Sequence, residues 1–187
     1  MTNCTRSDKA GTRRSHGWQG AVTIAGMHVT RRVTVERNRL RFAAAHMATF
    51  GGGCEPLHGH NYDVIIELEG ELTEDRWVWD FGAIKRAARA ITEELDHKFL
   101  LQRNSKHLAM EESETSWTVS FGERTYVFPH SNVLPLPLEN TTAECISEWF
   151  AGQLLEALQA QGATHLRKLT VGIEEMPGQT GWYTLDL

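Results

Sequence analysis

The chain has 187 residues, enough for one domain with a sizeable core and too few for two full ones. Its 41% hydrophobic and 23% charged residues are ordinary for a globular protein, and a formal net charge of -5 argues against a general nucleic-acid binder. The three cysteines, Cys4, Cys54 and Cys145, are too few and too scattered for a disulfide framework, so a reducing, cytoplasmic compartment is expected.

Residues 1–26 read as a mobile tail, with Arg6, Lys9, Arg13 and Arg14 among small polar residues and no apolar periodicity. The tail lacks the apolar region of a secretory signal, and no apolar run reaches membrane-spanning length. Alternation begins with Val29, Val33 and Val35, breaks at Arg37-Asn38-Arg39 and resumes from Leu40 to His46, which predicts a hairpin. Within the second arm, Leu40, Phe42, Ala44 and His46 share one face.

The segment Cys54-Glu55-Pro56-Leu57-His58-Gly59-His60-Asn61-Tyr62 holds a thiol, a carboxylate and two imidazoles, directly before a strand expected over residues 60–70. Side chains two apart on an extended chain point the same way, so His58 and His60 share a face with Tyr62, Val64, Ile66 and Leu68. Two imidazoles placed so can grip one ion. With His46 they would make a three-histidine site whose fourth position is open for chemistry. Cys54 can instead be the third ligand, or a nucleophile or base, or an inert small residue after Gly51-Gly52-Gly53. Each histidine can equally be an isolated core or surface residue.

Trp77-Val78-Trp79 reads as a short strand before Asp80, a helix N-cap, and Ile84, Ala87, Ala88, Ile91 and Leu95 recur at helical spacing after it. The helix exits at Asp96-His97, an acid beside an imidazole, a pairing common at solvated helix ends. Residues 102–116 are polar and loop-like. Trp117 to Phe121 and Thr125 to Phe128, around Gly122-Glu123-Arg124, predict a further hairpin. Thr141-Thr142-Ala143-Glu144 fits a capping box that opens a second helix with Ile146, Trp149, Phe150, Leu154 and Leu158 on its buried face. A last strand over residues 166–175 places Leu169, Val171 and Ile173 opposite Thr170, Gly172 and Glu174. The order predicts an α+β domain, an antiparallel sheet with two helices on one face.

The ordered motifs Phe42 to His46, Cys54 to Tyr62, Asp80-Phe81-Gly82, Leu95-Asp96-His97, Thr142-Ala143-Glu144 and the Glu174 strand resemble those of the 6-pyruvoyl-tetrahydropterin synthase and 6-carboxytetrahydropterin synthase family, of the tunnelling fold. The resemblance covers most of residues 28–187. It implies a catalytic domain over residues 27–187 and a zinc ion held by His46, His58 and His60. It further implies Cys54, Asp96 and His97 as proton-transfer residues, and Glu174 as the anchor of a pterin ring, with Glu144 and Thr142 in the same pocket. The implied substrate is 7,8-dihydroneopterin triphosphate and the implied product 6-carboxy-5,6,7,8-tetrahydropterin, a precursor in queuosine and deazapurine biosynthesis. Relatives assemble as trimers or stacked hexamers whose sheets close into a β-barrel, with sites between subunits and no nucleic-acid or membrane partner.

Three features depart from that pattern. Glu55 follows Cys54, and a Glu-x-x-His-Gly-His pattern resembles a branch that cleaves the side chain to 6-hydroxymethyl-dihydropterin. Thr141 and Cys145 stand where relatives commonly have proline and asparagine. Residues 103–137 hold an apparent extra hairpin. The alternatives are therefore the hydroxymethyl or 6-pyruvoyl product and, in another class, a non-catalytic pterin-binding zinc protein.

Overall fold

The computed structural model describes residues 30–36 and 40–187, so the expected tail and the Arg37-Asn38-Arg39 break lie outside the described residues. Its centre is β5 (His58–Gly70), a strand of 13 residues whose even positions from Tyr62 to Leu68 are buried, as the alternation predicts. Strands β1 (Arg31–Val35) and β2 (Arg41–His46) do not form the expected hairpin with each other. Both run antiparallel along the same edge of β5, β1 against Ile66–Gly70 and β2 against His58–Asp63. A strand as long as β5 can serve both, and the Val64 N–H donates to the Leu40 carbonyl at 2.9 Å to carry the ladder across the break. On the solvent side Arg41 forks onto Asp63 at 2.9 and 2.7 Å, and Arg32 reaches Glu67 at 2.8 Å.

Two two-residue strands, β3 (Thr49–Phe50) and β4 (Gly53–Cys54), close a small loop on Gly51 and Gly52, both at positive φ. Trp77-Val78-Trp79 is not a strand. The Thr73 N–H donates to the Trp77 carbonyl at 2.8 Å, Arg76 turns the chain at φ 67°, and His165 takes the Val78 carbonyl at 2.7 Å, so these backbone groups find loop partners instead of a sheet edge.

Helix α1 (Phe81–Leu95) starts where expected, Asp80 accepting from Gly82 N and Ala83 N at 3.0 and 2.8 Å, and buries Ile84, Ala87, Ala88, Ile91 and Leu95. It leads into β6 (Lys98–Gln102), which lies parallel to β2 and is buried on both faces: Leu100 joins the main core, Phe99 and Leu101 a second cluster. Part of the polar 102–116 stretch is in fact β7 (Ala109–Glu112), which with β8 (Ser116–Phe121) and β9 (Arg124–Pro129) makes a separate three-stranded sheet. Trp117 and Val119 press it onto Met47, Phe99 and Leu101, and Phe128 stacks on Phe99 with ring centroids 4.4 Å apart. A single 3-10 turn leads to β10 (Val133–Leu136), which pairs parallel to β6 and belongs to the main sheet.

Helix α2 (Ala143–Gln159) begins one residue later than the capping box implies: Thr142 is the cap, accepting from Cys145 N at 3.4 Å, while Thr141 is buried and its hydroxyl donates to Gln102 Oε1 at 2.8 Å. That shift releases Glu144 from capping. The last expected strand is two. β11 (Leu166–Met176) turns at Pro177 and Gly178, at φ 84°, into β12 (Gln179–Asp186). The seven-stranded sheet therefore runs β10-β6-β2-β5-β11-β12, with β1 beside β5, antiparallel except for the parallel pairs of β6 and β10. Both helices pack on one face, over Phe42, Tyr62, Val64, Val171 and Ile173. Among the described residues no helix is long and apolar enough to cross a membrane.

Candidate metal centre and its cavity

The end of β2 and the start of β5 bring His46 directly opposite His58 in the antiparallel register, with His60 two residues on. Their ring centroids lie 4.6, 5.3 and 5.0 Å apart, and one nitrogen of each falls within 4.8 Å of the others. The strand alternation that buries Phe42, Tyr62 and Val64 therefore delivers three imidazoles to the end of the core face.

Their other nitrogens are fixed from behind. His46 Nδ1 lies 2.7 Å from the Thr141 carbonyl and His58 Nδ1 lies 2.8 Å from the Pro56 carbonyl. A carbonyl only accepts, so each Nδ1 carries the proton and each Nε2 presents a lone pair. Burial, countered in part by the Thr141 bond and reinforced by the other two imidazoles, lowers the His46 pKa to about 4, so the ring is neutral at pH 7. His46 Nε2 and His60 Nε2 are buried with no hydrogen-bond partner among the described residues, and so is the Tyr62 hydroxyl below them. Buried polar atoms rarely stay unpaired, and three convergent imidazoles are a donor set that suits a divalent metal.

The imidazoles open into a cavity of about 520 Å³ that also holds Glu55, Thr142, Glu144 and Glu175. Glu55 Oε2 lies 3.7 Å from His58 Nε2. Thr142 and Glu144 sit at the first turn of α2, which adds the positive end of a helix dipole to that wall. Glu175 is half-buried, and its carboxyl is held above the usual range by burial, with Glu144 and Glu55 raising it further and His60 and His58 opposing. A carboxylate so desolvated gains from a ligand that donates two parallel N–H bonds.

Glu174, the expected ring anchor, does not line this cavity. Its strand position pairs with Asp63 on the outer face, and its Oε1 accepts from Gly178 N at 2.8 Å across the turn. Glu175 lies on the parity of Leu169, Val171 and Ile173, the core face, and the alternation of β11 alone would have identified it.

Three other expected residues do not line the cavity into which the imidazoles open. The Cys54 side chain packs beside the second cluster, its Sγ donates to the Glu55 carbonyl at 3.4 Å, and burial raises its pKa against the opposing Arg124 charge. Asp96 and His97 form a unit on the other side of the sheet. Asp96 Oδ1 accepts from Ala43 N at 2.7 Å and its Oδ2 from His97 Nδ1 at 2.7 Å, which holds the Asp96 pKa below its ordinary value. His97 adopts φ 58°, a left-handed backbone unusual for a non-glycine residue, and its mostly exposed ring borders a second cavity of about 490 Å³ with Ala43, Ala45, Gly59, Phe99 and one side of His60.

The family model described as 6-pyruvoyl tetrahydropterin synthase matches residues 34–186. A Methanocaldococcus jannaschii protein assigned as a 6-carboxy-5,6,7,8-tetrahydropterin synthase is 34% identical over 145 residues, covering 77% of this chain and 89% of that protein. A Pyrococcus furiosus dihydroneopterin monophosphate aldolase is 36% identical over 62 residues, 33% of this chain and 53% of that one. The crystal structure of Plasmodium vivax 6-pyruvoyl tetrahydropterin synthase superimposes with a TM-score of 0.80 at 28% identity, covering 86% of this chain and all of that chain. Two variants of that protein, with a catalytic glutamate changed to alanine or cysteine, match over the same shares at 27% identity and the same TM-score.

Proposed function

The chain belongs to the 6-pyruvoyl tetrahydropterin synthase family, and from that premise we propose that it is a zinc-dependent lyase that converts 7,8-dihydroneopterin triphosphate to 6-carboxy-5,6,7,8-tetrahydropterin. One observation carries the reading: three metal-ready imidazoles and the desolvated carboxylate of Glu175 face one cavity. His46, His58 and His60 would hold the zinc. When bound, the ion supplies Lewis acidity to side-chain oxygens of the substrate.

The protein's own groups divide the remaining work. Glu175, in place of Glu174, accepts two N–H bonds from the edge of the pterin ring and orients it, with Thr142 and Glu144 beside it. Cys54 or Glu55 moves a proton at the side chain, and Asp96 fixes the tautomer of His97 so that its Nε2 is free to exchange one. His97 lies beyond the cavity of its own chain. The reading therefore includes a homo-oligomer, a trimer or a hexamer, in which one copy's His97 serves another's cavity. The single-sided pairing of β12 and β10 leaves edges for such contacts.

A second reading has its own support. Glu55 faces the cavity while Cys54 does not, and in the Plasmodium vivax relative the replaced catalytic residue is a glutamate. On that reading Glu55 is the base, and the product is 6-hydroxymethyl-dihydropterin, consistent with the aldolase relative. Incubation of zinc-loaded protein with 7,8-dihydroneopterin triphosphate, with products identified by mass spectrometry, tests both. The carboxy product supports the first reading and the hydroxymethyl product the second. Binding without turnover would overturn both in favour of a non-catalytic pterin-binding protein.

A further inference from the structure

The hairpin of β8 and β9 turns through Gly122 and Glu123, with Phe121 opposite Arg124 and Gly122 at φ 58°. A two-residue turn of this kind leaves the first residue after it little freedom, so the backbone of Arg124 is set by the hairpin. Its guanidinium lies 5.4 Å from the centroid of the Phe121 ring and crosses to the segment that carries both proton-transfer residues. Nη2 donates to the Cys54 carbonyl at 2.6 Å and Nη1 to the Glu55 carbonyl at 3.0 Å.

The segment's regular backbone pairing is short. The segment follows three glycines, two of them at positive φ, and β3 and β4 are only two residues each. Phe50 at its start is 91% exposed. Its other ties are the bond from Glu55 N to the Ala48 carbonyl at 2.9 Å, the one from His58 Nδ1 to the Pro56 carbonyl, the Asn140 amide that brackets Thr49 at 2.9 and 2.8 Å, the Cys54 Sγ contact with the Glu55 carbonyl and the packing of Cys54 and Leu57 on the second cluster, none of them a charged donor to the Cys54 and Glu55 carbonyls. Consecutive side chains on an extended segment diverge, so rotating this peptide about its axis would exchange the groups that Cys54 and Glu55 present to the cavity. Two charged donors in a rigid planar fork, aimed at adjacent carbonyls, oppose that rotation; a single ammonium would hold only one of them.

We propose that Arg124 is a positioning residue: by gripping the Cys54 and Glu55 carbonyls it fixes how the two side chains are presented, with Glu55 on the cavity side, and so sets the proportion of carboxy to hydroxymethyl product. This rests on the function proposed above for the cavity. It makes the β8–β9 sheet, which supplies no residue to the imidazole cluster, a determinant of reaction outcome.

The test compares the parent with Arg124→Ala and Arg124→Lys, each zinc-loaded and checked for unchanged metal content and a cooperative unfolding transition. Amide hydrogen exchange read by mass spectrometry over residues 50–57 is expected to speed up roughly tenfold in Arg124→Ala, with β5 unchanged, because two hydrogen bonds to a charged group are lost. Arg124→Lys should fall between. The ratio of carboxy to hydroxymethyl product from 7,8-dihydroneopterin triphosphate should rise severalfold in Arg124→Ala, as Cys54 is freed to turn inward, and return part of the way in Arg124→Lys; a fall overturns the proposal. A folded Arg124→Ala protein with parental exchange over residues 50–57, or with a parental product ratio, overturns the proposal. If the parent makes no pterin product, the proposed function fails by itself, and the exchange measurement alone decides whether Arg124 holds the segment.

Discussion

His46 Nδ1 lies 2.7 Å from the carbonyl oxygen of Thr141, a residue 95 positions later in the chain. The bond ties the end of β2 to the entry of α2 and fixes the His46 tautomer, so the cavity wall and a candidate metal ligand are set by one contact. Metal-ligating histidines are commonly oriented this way through their second nitrogen.

One zinc per chain is expected, by elemental analysis of the purified protein. His58→Ala should lose it, since removing one of three ligands leaves no closed set. Chelation should also lower the melting temperature of the parent, because a ligand present at a hundredfold its Kd stabilises the folded state by about 2.7 kcal/mol. Full zinc retention in His58→Ala would reject the site.

Glu175→Ala should keep zinc and lose ligand affinity by roughly tenfold or more, the scale of a charge-assisted pair of hydrogen bonds. Glu174→Ala should leave affinity intact and cost a little stability, through the lost bond to Gly178 N. Titration calorimetry with a dihydropterin distinguishes the two. Parental affinity in Glu175→Ala would return the anchor role to Glu174.

Cys54 and Glu55 can be separated by product. Cys54→Ala should abolish the carboxy product while any hydroxymethyl product persists, and Glu55→Ala should do the reverse. A thiol ionises more readily beside a positive charge, and at Cys54 burial, which raises the pKa, outweighs the opposing Arg124. Carboxy product undiminished in Cys54→Ala would make the thiol a bystander.

Strand parity makes the imidazole cluster legible: His46 continues the face of Phe42 and Ala44, and His58 and His60 continue that of Tyr62 and Val64. Helix periodicity placed the buried residues of α1 in the same way. Parity in β11 puts Glu175 on the core face with Val171 and Ile173, whereas the anchor role of Glu174 rests on the family resemblance alone. The pairing of β1 and β2 was not legible, because alternation gives the face of a strand and not its partner, and only the length of β5 lets both dock on one edge. The placing of Asp96 and His97 outside the imidazole cavity is hidden too, since it depends on which side of the sheet the helix exit emerges.

Asp80 provides a pH test of the α1 start. Its bonds from Gly82 N and Ala83 N lower its pKa below the ordinary 3.8. A carboxylate with a depressed folded pKa contributes stability that is complete above its unfolded value and is lost as pH falls through the folded one. Asp80→Asn keeps a good capping group without a titrating proton. The variant should match the parent near pH 7 and lose stability less steeply on acidification below about pH 4, in urea unfolding at stepped pH. Identical acid limbs would show that Asp80 does not contribute to the titration.

The three-stranded sheet offers the last prediction. Removing residues 103–137 would take β10 out of the main sheet as well, so a clean test must leave Val133–Leu136 in place. Trp117 allows a smaller probe. It is 5% exposed, packs against the cluster that includes Met47, Phe99 and Leu101, and has the Arg103 guanidinium 5.6 Å from its ring centroid. Trp117→Ala should cost roughly 3–5 kcal/mol, a large share of a typical domain's stability. The imidazoles lie on the opposite face of β2 and β5, so the folded fraction should still bind one zinc per chain, while exchange over residues 50–57 should rise because Arg124 loses its firm base. Zinc lost in proportion to the loosened sheet would show that the two faces are coupled, whereas stability within about 1 kcal/mol of the parent would show that the sheet is not held by this ring.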